Sequence, residues 1–303
     1  MDDHVLPDAR ACQYRLEPAV TLTPLNVPAL LRAHRLSPKK SLGQNFLIDT
    51  AALERIVAAA EVTPASSVLE VGPGLGSLTR HLAQAAGRVV AVELDQNMIR
   101  VLEDVVRDAP NVEIVHGDML KIDPAALMGQ DGYLVVANIP YYITSNLIRH
   151  LLEAPLKPGR MVLTIQREVA ERITAKPGDL SLLALSVQIY GQPKIAARIP
   201  AGAFYPAPDV DSAALRIDLY GEPLIPAPQI DLFFRLAKAG YGQKRKTLRN
   251  ALSAGMGWGG EKTAELLETA GIDPRRRAET LSIAEWRALT QVVEETRRQP
   301  DNP

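Results

Sequence analysis

The sequence predicts an α/β fold in which a mostly parallel sheet is followed by a small helical domain. Up to about residue 220, apolar runs that end in turn residues alternate with segments of helical spacing. A glycine cluster, Gly72-Pro73-Gly74-Leu75-Gly76, joins one such run to the next helical segment. After Gly221-Glu222-Pro223 only helical patterns remain. We therefore expect a Rossmann-like domain over residues 28–220 and a helical domain over residues 221–295.

The two ends of the chain lack these patterns. Residues 1–27 contain three prolines among scattered charges and no continuous apolar core of a signal peptide, which predicts a poorly ordered extension. Residues 296–303 are expected to be a tail. The single Cys12 excludes an intrachain disulfide, and no apolar run approaches the roughly 18 residues of a membrane span. We expect a cytoplasmic protein.

The first strongly patterned elements surround the glycine cluster. Asp49 suits an N-cap, and the apolar stripe Leu53, Ile56, Val57 and Ala60 predicts the helix that follows it. An apolar run then ends at Gly72, and residues 78–83 have helical spacing, so the cluster is a tight turn into a helix N-terminus. A ligand can approach the backbone closely there. A dinucleotide-binding loop would place glycine where this chain has Ser77.

Polar residues stand at the end of the next three predicted strands or just after it. Glu93 ends the run 88–93, about twenty residues past the first glycine, where a Rossmann-like fold places a carboxylate against ribose hydroxyls. Asp118 follows the run 112–116, and Asn138 follows the run 134–137. Because ligands in open α/β sheets bind at the carboxyl ends of strands, these side chains predict a cofactor site. Asp118 could instead cap the next turn.

The turn Asn138-Ile139-Pro140-Tyr141-Tyr142 suits the exocyclic amine of a base. The Asn138 side-chain oxygen and a backbone carbonyl beside Pro140 can accept hydrogen bonds from an amine, and Tyr141 offers a face to an unstacked purine. Catalysis on an adenine amine is the leading hypothesis. Taken alone, the same residues also fit a strand that ends in an Asn-x-Pro turn with two packing tyrosines.

Strands and helices are expected to go on alternating through residues 161–165, 182–190, 194–199 and 213–219. The helical domain should contain helices near residues 232–239, 244–254, 263–270 and 283–294.

Positive charge is concentrated locally, although the formal net charge is −1. No acidic residue occurs between residues 232 and 260, or between residues 19 and 48. Charge runs are usually solvated faces, but a surface that follows a phosphate backbone needs such a local excess of cations. The candidate RNA contacts are Lys244, Arg245, Lys246 and Arg249 in the first stretch and Arg32, Arg35, Lys39 and Lys40 in the second.

These motifs together resemble the family of small-subunit ribosomal RNA adenine N6-dimethyltransferases. The further matching segments are Leu42-Gly43-Gln44-Asn45-Phe46-Leu47, Phe204-Tyr205-Pro206-Ala207-Pro208-Asp209-Val210-Asp211-Ser212, Arg245-Lys246-Thr247-Leu248-Arg249-Asn250 and Glu279-Thr280-Leu281-Ser282. Their order is that of the family, and the resemblance extends from about Pro38 to about Val292. It implies a class I S-adenosylmethionine-dependent methyltransferase fold with a small C-terminal helical domain.

The resemblance also implies the reaction and its residues. Methyl groups would pass from S-adenosylmethionine to the N6 amines of two adjacent adenosines near the 3′ end of 16S rRNA in the small ribosomal subunit. Asn138 and the backbone at Ile139 or Pro140 would hold the amine, while Tyr141 and Phe204 would stack on the flipped base. The implied cofactor contacts are Asn45, Leu47, Gly72, Glu93, Asp118 and Asn138. A monomer without a metal or a membrane partner is expected.

Three alternatives are open. The homologous large-subunit methyltransferases that confer macrolide resistance share the cofactor motifs and an Asn-x-Pro-aromatic turn. A ribosome-assembly or transcription factor could keep the fold and the RNA surface without methylating, although the intact Asn138 and Tyr141 argue against it. A nicotinamide oxidoreductase is disfavoured by Ser77 and by the lack of hydride-handling residues.

Overall fold

The computed structural model describes residues 22–298 of the chain. Most of the predicted extension and most of the predicted tail therefore lie outside the described residues. The described part of the extension, however, already belongs to the fold: Val27 is the first residue of a helix and is fully buried. Residues 296–298 likewise continue the last helix of the chain.

The strands of the described chain form two sheets. They are β1 (Phe46–Leu47), β2 (Ser67–Val71), β3 (Arg88–Glu93), β4 (Val112–His116), β5 (Leu134–Asn138), β6 (Arg160–Gln166), β7 (Gly191–Ile199), β8 (Phe204–Tyr205) and β9 (Ser212–Leu219). The main sheet has the order β4-β3-β2-β5-β6-β9-β7, and β1 pairs with β8 in a separate antiparallel ribbon. Strands β2 to β6 of the main sheet are parallel, which confirms the predicted mostly parallel sheet.

Helices cover both faces of the sheet and form the C-terminal part of the chain. The helices of the sheet region are α1 (Val27–Ala33), α2 (Thr50–Ala60), α3 (Ser77–Ala85), α4 (Gln96–Val105), α5 (Pro124–Met128), α6 (Thr144–Leu152), α7 (Arg167–Ile173) and α8 (Leu182–Gln188). They are followed by α9 (Ile230–Tyr241), α10 (Leu248–Met256), α11 (Gly260–Thr269) and α12 (Ile283–Arg298). Asp49 caps α2 by accepting a hydrogen bond from the Ala52 amide, as predicted.

The structure assigns one segment whose type the sequence left open and shifts the start of another. Residues 182–188 form helix α8, and Ser181 caps it; this segment is apolar almost throughout, so its periodicity could not identify a helix or a strand. Helix α10 begins at Leu248 instead of Lys244, because the Thr247 side chain accepts from the Asn250 amide and fixes the N-terminus there. Residues 244–246 therefore lie in a turn.

The C-terminal helices pack onto the sheet region. Leu185 and Ile189 belong to the same buried cluster as Phe233 of α9 and Trp286 of α12. Apolar side chains on the two sides of residue 221 thus form one continuous core. Within the described chain, none of the helices combines the length and the apolar character needed to cross a membrane.

Candidate active site

A cavity lies at the carboxyl ends of the parallel strands, next to the neighbouring strands β2 and β5. The strand that follows β2 in the chain lies toward one edge of the sheet, and the strand that follows β5 lies toward the other. Such a change of direction opens a crevice in which α/β proteins bind ligands. The residues predicted for the cofactor all line this cavity, namely Asn45, Leu47, Gly72, Glu93, Asp118 and Asn138. Ile139, Pro140 and Tyr141 of the predicted catalytic turn line it as well.

The glycine turn after β2 needs glycine for steric reasons. Gly74 has a φ of 57°, and a Cβ atom there would lie 2.9 Å from Cε1 of Phe46. Gly76 has a φ of 87°, and its Cβ would lie 2.8 Å from Cδ1 of Leu102. Both positions combine a left-handed backbone with close neighbours, so the turn can pack tightly between β1 and α4 only without side chains.

Two backbone amides hold the Glu93 carboxylate at the end of β3. Oε2 accepts from the Gly74 amide at 2.9 Å, and Oε1 accepts from the Asp95 amide at 2.8 Å. Burial raises the pKa of Glu93, and these backbone hydrogen bonds oppose that rise. Because a carboxylate offers more acceptor positions than these two, Glu93 can still accept hydrogen bonds from ligand hydroxyls in the cavity.

Glu70 of β2 is a site residue that the sequence did not identify as a ligand contact. Its side chain lines the cavity and is 1% exposed, and Oε2 has no hydrogen-bond partner within residues 22–298. Burial raises the pKa of Glu70 to about 8, and the nearby Glu93 carboxylate adds to the rise. An unpaired, buried carboxyl oxygen beside a cavity suits a cationic ligand group, since such an atom is costly to leave without a partner.

The side chain of Asn138 is fixed by a long-range contact. Its Nδ2 donates to the backbone carbonyl of Asn45 at 2.9 Å. This contact uses the donor end of the amide and leaves Oδ1 as the acceptor. In the following turn the Pro140 carbonyl accepts from the Ile143 amide at 3.2 Å, whereas the Ile139 carbonyl has no backbone donor of this kind in the described chain. Asn138 Oδ1 and the Ile139 carbonyl are therefore the two acceptors available to an amine.

Two tyrosines continue the turn. The Tyr141 hydroxyl lies 2.7 Å from Oγ of Ser212, and burial raises the pKa of this phenol although the Ser212 contact opposes the rise. Tyr141 is therefore neutral, with its ring at the cavity wall. Tyr142 also lines the cavity but is 58% exposed. Ser212 belongs to a matching motif, but no local pattern indicated that it would hold Tyr141.

Phe204 does not lie in the cavity. It is 3% exposed, pairs with Leu47 between β8 and β1, and packs in a buried cluster with Val136 and Val162. A ring that stacks on a base needs a free face, so this conformation does not support the stacking role predicted for Phe204. Its neighbour Tyr205 is 38% exposed.

The predicted RNA contacts have different environments. Lys244, Arg245 and Lys246 are exposed in the turn between α9 and α10. Arg249 is exposed too, but its Nε donates to the Gly260 carbonyl at 3.1 Å. The four basic candidates of the N-terminal stretch, Arg32, Arg35, Lys39 and Lys40, are also exposed. Of these, Lys39 forms an ion pair with the buried Asp95 at 2.8 Å.

Comparisons with known proteins agree with this geometry. The family model of ribosomal RNA adenine dimethylases matches residues 35–295. The chain is 48% identical to the ribosomal RNA small subunit methyltransferase A of Dehalococcoides mccartyi (strain CBDB1), over 86% of this chain and 90% of the relative. It is 44% identical to the protein of the same name from Pelotomaculum thermopropionicum, over 89% of this chain and 96% of the relative.

Two solved structures resemble this architecture over most of the chain. The 23S rRNA methyltransferase ErmE is 27% identical with a TM-score of 0.68, and the match covers 82% of this chain and 100% of that one. A dimethyladenosine transferase from Plasmodium falciparum is 24% identical with a TM-score of 0.72, over 82% of this chain and 98% of that one. The second likeness concerns the fold.

Proposed function

The chain belongs to the ribosomal RNA adenine dimethylase family, and on this basis we propose that it dimethylates the N6 amines of two adjacent adenosines near the 3′ end of 16S rRNA. The methyl donor is S-adenosylmethionine, and the substrate is the small ribosomal subunit. The observation that carries this proposal is the fixed amide of Asn138, whose oxygen is left as an acceptor beside the cavity. The proposed substrate implies a cytoplasmic protein, and we propose a monomer as the acting form, since residues of this one chain line the cavity.

The residues around the cavity fit the proposed cofactor. Bound there, S-adenosylmethionine would supply an electrophilic methyl group on a sulfonium centre. Glu93 can accept from the ribose hydroxyls, and Asp118 is placed for the adenine amine, with Oδ1 already accepting from the Leu120 amide at 3.1 Å. Glu70 presents an unpaired carboxyl oxygen for the positively charged part of the ligand. Leu47 of β1 and Asn45, which directly precedes this strand, line the same cavity.

The turn after β5 accounts for the chemistry on the base. An adenine amine is a poor nucleophile because its lone pair is delocalised into the ring. Asn138 Oδ1 and the Ile139 carbonyl would accept hydrogen bonds from its two N–H groups and hold the nitrogen in a more tetrahedral geometry. Held in this way, the nitrogen lone pair would be directed at the methyl carbon that bound S-adenosylmethionine supplies, with S-adenosylhomocysteine as the leaving group, and the proton of the methylated nitrogen would pass to water. Positioning and fixed dipoles supply most of the acceleration.

The small subunit is a better-supported substrate than the large subunit. The relatives named small subunit methyltransferase A reach 48% identity, whereas the 23S rRNA enzyme ErmE is 27% identical. The macrolide-resistance alternative is therefore not favoured. A non-catalytic assembly factor would have no need for an Asn138 amide held at 2.9 Å from the Asn45 carbonyl.

Methylation of purified subunits tests this function. Small subunits that lack the modification would be incubated with the protein and with cofactor carrying a labelled methyl group, and the RNA would be digested and mapped by mass spectrometry. Label in two adjacent N6,N6-dimethyladenosines of 16S rRNA is expected. Already modified small subunits and large subunits serve as controls and should remain unlabelled. Label in 23S rRNA alone would replace the proposal with the large-subunit alternative.

A further inference from the structure

Lys39 lies in a stretch that was predicted to contact RNA, but a buried carboxylate holds its side chain. Its Nζ lies 2.9 Å from Oδ1 and 2.8 Å from Oδ2 of Asp95. The Asp95 side chain is 2% exposed and that of Lys39 is 43% exposed. A buried carboxylate needs its partners because desolvation of an unpaired charge is costly. This contact therefore constrains Lys39 more than an exposed ion pair would.

Gln44 completes the arrangement from the other end of the same short segment. Its Nε2 donates to Oδ2 of Asp95 at 3.1 Å, and its Oε1 accepts from the backbone amide of Lys39 at 2.8 Å. Residues 39–45, which we call the strap, are thus closed into a loop and attached to Asp95 through Lys39 and Gln44. Residues 42–45 of the strap line the cavity, whereas Lys39 does not.

The strap contacts Asp95 and Asn138, and both contacts lead to residues of the proposed reaction. The Asp95 amide donates to Glu93 Oε1, and Glu93 Oε2 accepts from the Gly74 amide. At the other end of the strap, the Asn45 carbonyl accepts from Asn138 Nδ2. A displaced strap would therefore disturb the carboxylate proposed for the ribose and the amide proposed for the adenine amine.

We propose that Lys39, Gln44 and Asp95 are positioning residues that fix the strap over the cofactor cavity, so that Lys39 supports cofactor binding. The inference rests on the proposed function, since it names residues that support the same site. Lys39 and Asp95 act through the strap and through Glu93 and do not themselves contact the cofactor.

Titration of S-adenosylhomocysteine by calorimetry tests the positioning role of Lys39. Lys39→Met should weaken binding on the order of tenfold, the effect expected when a hydrogen bond to a buried charge is lost. Lys40→Met is the matched control, because Lys40 is an exposed lysine of the same segment; it should bind the ligand like the wild type. Lys39→Arg, which keeps the charge and the donors, should restore most of the affinity.

Further readouts keep the outcome interpretable. Thermal unfolding of each variant shows that it is folded at the titration temperature. In a double-mutant cycle, Asp95→Asn should weaken binding less in the Lys39→Met background than in the wild type, because the two side chains act as one unit. An unchanged dissociation constant in folded Lys39→Met protein overturns the inference whatever happens to RNA affinity. Failure of the wild type to bind the ligand would instead refute the proposed cofactor.

Discussion

Nδ2 of Asn138 donates a 2.9 Å hydrogen bond to the backbone carbonyl of Asn45, which lies 93 residues earlier in the chain. The contact joins the end of β5 to the strap and selects one of the two orientations of the Asn138 amide. With the donor end engaged, the carbonyl end is the part available to a substrate. The protein therefore presents a hydrogen-bond acceptor at the cavity, where the proposed adenine amine would donate.

Asn138→Ala should lower methyl transfer to small subunits by about 10²- to 10³-fold, because the lost acceptor acts on the amine during the reaction. The dissociation constant of S-adenosylhomocysteine should rise far less than methyl transfer falls, because Glu70, Glu93 and Asp118 remain although the contact to the strap is lost. Single-turnover methylation and calorimetry measure the two effects. Near-normal turnover of the folded variant would refute the assigned mechanism.

Tyr141 should act through its ring. Tyr141→Phe keeps the ring and loses only the contact to Ser212 Oγ, so most of kcat/KM should remain. Tyr141→Ala should lose about 1–3 kcal/mol of transition-state stabilisation, the value of one base-stacking platform. Steady-state kinetics with the RNA substrate compare the two variants. Equal losses in both would assign the role to the hydroxyl instead of the ring.

Gly74→Ala should lower the free energy of unfolding by more than the strain of a positive φ alone would. The new Cβ would lie 2.9 Å from Phe46 Cε1, and the residue would keep a φ of 57°. Gly132→Ala is the control, because Gly132 has a φ of 76° and nothing within 4 Å of its Cβ position. A residue other than glycine at such a positive φ costs about 1–3 kcal/mol of strain. Gly132→Ala therefore measures the strain without a steric clash. Urea unfolding should show a larger loss for Gly74→Ala, and equal losses would exclude the steric explanation.

The sequence predicted best those features that depend on neighbouring residues. The glycine turn, the Asp49 cap and the strand-end residues Glu93, Asp118 and Asn138 follow from local spacing, and the structure brings all of them to the expected places. The contact between Lys39 and Asp95, which lies 56 residues away, could not be predicted from the local charge pattern. Phe204 looked available for stacking, but whether an aromatic side chain is buried depends on the strand pairing with Leu47, which no local pattern reveals.

Glu70 should make the stability of the ligand-free protein depend on pH. Burial raises its pKa in the folded state to about 8 from an ordinary value of 4.5. Between these values the folded state keeps a proton that the unfolded state loses, so the free energy of unfolding should fall as pH rises from about 4.5 to about 8. Glu70→Gln, which is neutral throughout, should show a smaller fall in urea titrations.

The control for this effect is Glu222→Gln, which changes an exposed glutamate. Its unfolding free energy should follow the wild-type dependence on pH. If Glu70→Gln has the same pH dependence as the wild type, Glu70 is ionised in the folded protein at neutral pH. The unpaired Oε2 atom would then need a cationic partner that the described residues do not provide.

The turn between α9 and α10 should contact RNA phosphates. Replacing Lys244, Arg245 and Lys246 together with Gln should weaken RNA binding and reduce its log–log salt slope by about 0.7 to 0.9 for each lost contact. Arg249 is left in place because its Nε donates to the Gly260 carbonyl and its loss could disturb α10. Fluorescence anisotropy with a 16S rRNA fragment at several salt concentrations measures both quantities.

A charge-matched control separates specific contacts from the general attraction of RNA to cations. Arg100, Lys262 and Arg287 are exposed in α4, α11 and α12, and replacing these three with Gln removes the same charge. Because the net charge of the two triple variants is equal, a greater loss of slope in the first one locates the contacts at the α9–α10 turn. Equal slopes in both variants would mean that the lysines and the arginine of this turn only solvate the surface. The binding surface would then have to be sought at Arg32, Arg35 and Lys40.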